Sequence, residues 1–108
     1  MGPNFDTIDF VTIATTGNAT DFGDMTFAAR GLMEGSATTE TRGLLISGKH
    51  DSGYYNVINY VTINSTGNAT DFGDLTQSRS TLGSMASPTR AIFTGGQTPT
   101  EVNTCDFV

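Results

Sequence analysis

Thr16-Gly17-Asn18-Ala19-Thr20-Asp21-Phe22-Gly23-Asp24 recurs without change as Thr66-Gly67-Asn68-Ala69-Thr70-Asp71-Phe72-Gly73-Asp74. The match extends outward without a gap from Phe10–Thr26 to Tyr60–Thr76, and 13 of those 17 positions are identical. The exchanges include Phe10/Tyr60, Thr15/Ser65 and Met25/Leu75, all mild. Further out, Arg30 matches Arg79, Thr41-Arg42-Gly43 matches Thr89-Arg90-Ala91, and Ser47-Gly48 matches Gly95-Gly96. Asn56-Val57-Ile58-Asn59-Tyr60 is answered by Asn103-Thr104-Cys105-Asp106-Phe107, the opening of a third copy. The period is 47 to 50 residues. It divides the chain into residues 1–55, 56–102 and the strand-length piece 103–108.

Each copy reads as four short strands. In Thr7–Ile13, Ile8, Phe10 and Thr12 alternate with Asp9, Val11 and Ile13, and Val57–Ile63 repeats the pattern. Alternation of period two, carried by β-branched and aromatic residues, indicates a strand. Thr16-Gly17-Asn18 supplies a turn, because Gly and Asn tolerate positive φ. A second strand runs near Phe22–Thr26, where Gly23 suggests a bulge. The third strand lies near Leu32–Ala37 and again near Leu82–Ala86. The fourth is Arg42–Ile46 and Arg90–Thr94, each followed by glycine. No stretch has a helical period with caps.

The 108 residues contain 13 glycines, 36% hydrophobic residues and no Trp. That suits short strands and many turns around a core too small to stand alone. The net charge of −6 opposes a phosphate backbone and an anionic membrane surface, so nucleic-acid and membrane partners are not expected. No apolar run approaches the roughly 20 residues that span a bilayer, and the N-terminus lacks the pattern of a signal peptide. A soluble protein of unknown location is expected, with virion or cell-surface association among the options. Cys105 is the single cysteine, so no intrachain disulfide or paired-cysteine zinc site can form.

Four strands in a unit of about 50 residues point to β-propeller blades. The order resembles a kelch repeat entered midway: Arg79 leads to Thr94-Gly95-Gly96 and then to Asn103–Phe107, while Ser47-Gly48 leads to Asn56–Tyr60 and then to Phe72. Phe22 and Phe72 stand where the kelch outer strand carries Trp, and Ser47-Gly48 reduces the first Gly-Gly pair. The recurring nine-residue block is also similar to tandem repeats of environmental and phage-derived proteins, which implies surface recognition. The resemblance implies an all-β propeller with about two four-stranded antiparallel blades per chain. Propellers have four to eight blades. The remaining blades would come from other copies, three chains giving six, or from a longer parent protein. In a closed ring, Asn103–Val108 and Thr7–Ile13 would compete for one slot.

No catalytic constellation is legible, so no enzyme and no cofactor are expected. Asp21-Phe22-Gly23 and Asp71-Phe72-Gly73 spell a kinase metal-binding tripeptide without its companion motifs. Asn18, Asp21 and Asp24, with Asn68, Asp71 and Asp74, offer calcium-type oxygens but lack a downstream bidentate Glu; Asx turns explain them equally. Asn18, Asn64 and Asn68 each open an N-x-Thr glycosylation pattern. Lys49, His50 and Asp51 lie on a loop about three residues longer than its counterpart. Because a loop that breaks a repeat is where specificity resides, Lys49, His50, Asp51, Tyr54 and Tyr55 are recognition candidates. Arg30, Arg42, Arg79 and Arg90 are four of the five cations and all recur. Structural pairing with Asp is one reading. An arginine ring for an anionic ligand is the sharper one, and it makes Arg42 and Arg90 candidates too. Expected partners are other copies of the chain and a protein or glycan ligand.

Overall fold

The computed structural model describes residues 3–30, 36–46 and 48–108. Among them there is no helix, and 11 strands form small antiparallel sheets. The strands are β1 (Phe5–Phe10), β2 (Thr20–Ala29), β3 (Ser36–Thr38), β4 (Arg42–Ile46), β5 (Lys49–His50), β6 (Gly53–Tyr54), β7 (Val57–Thr62), β8 (Thr70–Asp74), β9 (Gly83–Ala86), β10 (Ala91–Thr94) and β11 (Cys105–Phe107). Three sheets follow the repeat: β1-β2, then β3-β4-β7-β8, then β9-β10-β11. The fourth is the β5-β6 hairpin.

Registers repeat as the sequence does. Leu44 faces Tyr60 and Leu45 faces Asn59 across β4-β7; Ile92 faces Phe107 and Phe93 faces Asp106 across β10-β11. Ile8 faces Gly23 and Asp9 faces Asp21 across β1-β2; Ile58 faces Gly73 and Asn59 faces Asp71 across β7-β8. Both of the latter ladders slip between the same two pairs, so Phe22 and Phe72 are the extra residues of a bulge, as Gly23 suggested.

Alternation sends Leu44, Ile46 and Ile58 to one face of the four-stranded sheet, against Ala91 and Phe93 of the three-stranded one. Ala37, Leu75 and Leu82 complete this core, and Ile46, Ile58 and Phe93 are fully buried. The Gly95-Gly96 pair ends β10 because the chain passes too close for a side chain. Gly96 has φ +101, and a Cβ there would lie 2.5 Å from the Ser80 carbonyl oxygen.

Some elements differ from the sequence reading. The third strand is Ser36–Thr38; the Leu32 end of the expected span falls outside the described residues. The Lys49–Tyr54 segment is a hairpin, not an open loop. Its neck is closed by reciprocal Arg30–Lys49 backbone bonds of 3.0 Å and by Tyr55 N–H to the Gly48 carbonyl at 3.1 Å. Gln97 with Ser80, and Val102 with Gly96, close the counterpart in the same way. Gly48 to Tyr55 is therefore one residue longer than Gly96 to Val102, not three. β2 outruns β8 because Ala29 at its far end still pairs with Phe5, and there the Phe27 ring lies tilted against Tyr55 at 4.2 Å. Among the described residues, no helix is long and apolar enough to cross a membrane.

Candidate functional site

The recognition candidates separate to opposite ends of the sheets. Arg42 opens β4, whereas Lys49 follows the far end of that strand. Five strand residues put roughly 15 Å between the two groups.

At the hairpin end, the side chains are largely engaged with the first repeat. Asp51 is bridged to Arg30 at 2.7 Å. The His50 ring lies 4.5 Å from the Tyr55 ring, and the Tyr55 hydroxyl donates to the Ala28 carbonyl at 3.2 Å. Lys49 sits over the Tyr54 ring at 5.7 Å. Ser52 Oγ lies 3.1 Å from His50 Nδ1, a serine–histidine pair within one turn. Asp51, the nearest acid in sequence, is turned away to Arg30, and among the described residues no carboxylate bonds the His50 ring as the orienting acid of a hydrolytic triad would.

At the other end, an open groove of about 180 Å³ runs between the four-stranded and three-stranded sheets. Arg42, Arg90, Phe72, Pro88, Thr38 and Val108 are on its wall. Arg42 stacks over Tyr60 at 4.5 Å and Arg90 over Phe107 at 4.7 Å. A guanidinium on a ring face keeps its edge donors free for an anion. Both arginines are exposed, and among the described residues neither has a carboxylate partner. Phe72 meets Tyr60 edge to face at 6.0 Å, extending the row to Arg42–Tyr60–Phe72.

The other two recurring arginines are structural. Arg79 is fully buried; it donates to the Gly95 carbonyl at 2.8 Å and to Asp106 at 2.9 Å. Thr76 donates to the same carboxylate from its hydroxyl at 2.5 Å and from its backbone at 3.0 Å. Burial pushes the Asp106 carboxyl up, but the Thr76 and Arg79 hydrogen bonds and the Arg79 charge outweigh it, leaving its pKa below the usual value. One repeat earlier, Thr26 donates to Asn59 at 2.7 Å, while Arg30 turns outward to Asp51. Asn59 is fully buried, and its Nδ2 has no partner among the described residues.

The recurring block contributes to packing between repeats. Gly67 N–H donates to the Phe22 carbonyl at 2.8 Å and Ala69 N–H to the Asp24 carbonyl at 2.7 Å. Asn68 Oδ1 accepts from Asp24 N–H at 3.0 Å. The sequence offered Asn68 as a calcium oxygen or a local Asx turn; it instead caps the neighbouring repeat. Asp71 does make a local turn, accepting from Gly73 N–H at 3.0 Å. Among the described residues, no three His, Cys, Asp or Glu side chains converge as a metal site.

Compared with known proteins, the chain matches no family model and no curated protein.

Proposed function

We propose that the chain is a non-catalytic recognition module. Its sheets are kelch-like β-propeller blades, several copies close the ring, and the favoured assembly is a trimer of six blades. The observation that carries the reading is the repetition of an exposed arginine on an aromatic ring beside an inter-sheet groove, Arg42 on Tyr60 and Arg90 on Phe107. Identical registers in successive sheets support the blade reading. A groove of this size accepts one acidic side chain or one sugar unit. The ligand is therefore an acidic protein segment, with an anionic glycan as the alternative.

Arrays of acidic peptides and of neutral, sulfated and sialylated glycans test this. Binding to an anionic class is expected, with at least a tenfold loss in Arg42→Ala and Arg90→Ala and no loss of folding. Flat arrays, or binding indifferent to both substitutions, would contradict it. Peptide hits without glycan hits would remove the lectin-like alternative.

A further inference from the structure

We propose that the N-terminal ribbon of a second copy completes the last sheet of the first, with β1 of the second copy displacing β11 from β10. This rests on the assembly reading above and names its contact.

β1 and β11 are the same strand of successive repeats. Thr7-Ile8-Asp9-Phe10-Val11 and Thr104-Cys105-Asp106-Phe107-Val108 differ at one of five positions. In the β11 register, a seated β1 would set Ile8 opposite Thr94, Asp9 opposite Phe93 and Phe10 opposite Ile92. Asp9 would then take the place of Asp106 on the buried Arg79, and Phe10 that of Phe107 beneath Arg90. Asp9 is exposed in the single chain, and among the described residues only one edge of β1 is paired, to β2.

The chain shows the full contact once and half of it a second time. Between the first and second repeats, the Gly67-Asn68-Ala69 turn docks on Phe22-Gly23-Asp24 while Asn59 receives Thr26. Between the second and third, Asp106 receives Thr76, but among the described residues no turn docks on Phe72-Gly73-Asp74. Exposure records the difference: Phe22 is 9% exposed and Phe72 39%. A Cβ on Gly23 would meet the Gly67 oxygen at 2.2 Å; one on Gly73 would meet nothing within 4 Å. Gly17-Asn18-Ala19 is the identical turn and is exposed. A second copy whose β1 enters at β10 brings this turn to Phe72-Gly73-Asp74.

The exchange also covers an open apolar face. Met85, Ile92 and Phe107 occupy the positions of Ala37, Leu44 and Tyr60 in the preceding sheet. Ala37 and Leu44 are buried, whereas Met85 is 60% exposed and Phe107 64%. The four-stranded sheet of the second copy would lie on this face as it lies on β1-β2 in its own chain. Each chain then contributes two complete four-stranded sheets, and β11 is a placeholder for a neighbour's β1. The contact is head-to-tail, so it propagates until a ring closes.

Two cysteine variants test the exchange. Thr94 and Cys105 face each other across β10-β11. Thr94→Cys, once oxidised, would lock β11 in place; the protein should then run as an 11.4 kDa monomer and reassemble on reduction. The triple variant Ile8→Cys, Thr94→Cys, Cys105→Ser should form interchain disulfides on oxidation, read as covalent multimers on a non-reducing gel. Free-thiol titration reports whether each bond has formed. Wild-type assembly with no interchain bond in the triple variant would overturn the exchange and leave the assembly reading standing. So would a fully locked Thr94→Cys protein that still assembles. A wild-type monomer at every concentration would end both.

Discussion

Asp106 and Asn59 hold the same position in successive repeats, and the single-atom difference decides where an arginine goes. The carboxylate holds Arg79 in the interior, sharing Thr76 as a second donor. The amide offers no charge, and Arg30 lies on the surface against Asp51. Removing one member of a buried pair costs about 3–5 kcal/mol, because the other charge is left uncompensated. Asp106→Asn should therefore lose about 3 kcal/mol in urea unfolding at neutral pH, measured in the oxidised Thr94→Cys background so that β11 stays seated. The carboxyl's pKa is lowered by folding, so its contribution is complete above the unfolded value of about 3.9 and is lost as pH falls through the folded value. The gap between Asp106→Asn and its parent should accordingly narrow below about pH 4. A gap that stays constant on acidification would show that the charge pair is not its source.

At the scale of elements, the recurring block shapes both a strand and a joint. Gly23 and Gly73 share φ +154, so Ala strains the backbone equally at both. Only Gly23 lies under a neighbouring turn. In the monomer locked by oxidised Thr94→Cys, Gly23→Ala should thus be the worse by about 1–3 kcal/mol, the usual cost of overpacking, as read from thermal melts. Asn68→Ala should cost about 1 kcal/mol by removing the cap on Asp24, whereas Asn18→Ala should leave the same locked monomer unchanged. Equal effects within either pair would contradict the joint. Strand identities were legible because alternation and glycine placement are local. Arg42–Ile46 is reproduced to the residue, and the slip at Phe22 follows from Gly23. The hairpin was not legible, since two-residue strands have no period and Gly48–Gly53 has the composition of a loop. Nor was the cap made by Asn68, because a side chain that suits a local turn gives no sign of reaching a strand 44 residues earlier. Recurrence marked Arg42 and Arg90 but did not separate them from Arg30 and Arg79; burial and partners did.

The whole molecule is more open than a self-sufficient chain of its size. Its accessible surface is 6609 Å², against about 5800 Å² expected for a compact monomer of this mass. Its radius of gyration is 14.0 Å, against about 13 Å. The excess has an address: Phe5 and Ile13 at the first repeat, and Met85 and Phe107 on the last sheet. A two-stranded ribbon and an uncovered sheet face are marginal alone and invite pairing. Three head-to-tail copies would cover both ends of every chain. Size-exclusion chromatography with light scattering on the wild-type protein, from sub-micromolar to high micromolar, tests this most directly. The expected result is one species near 34 kDa, three chains of 11.4 kDa, persisting on dilution. A species that stays at 11.4 kDa across the range, folded and monomeric, would contradict it.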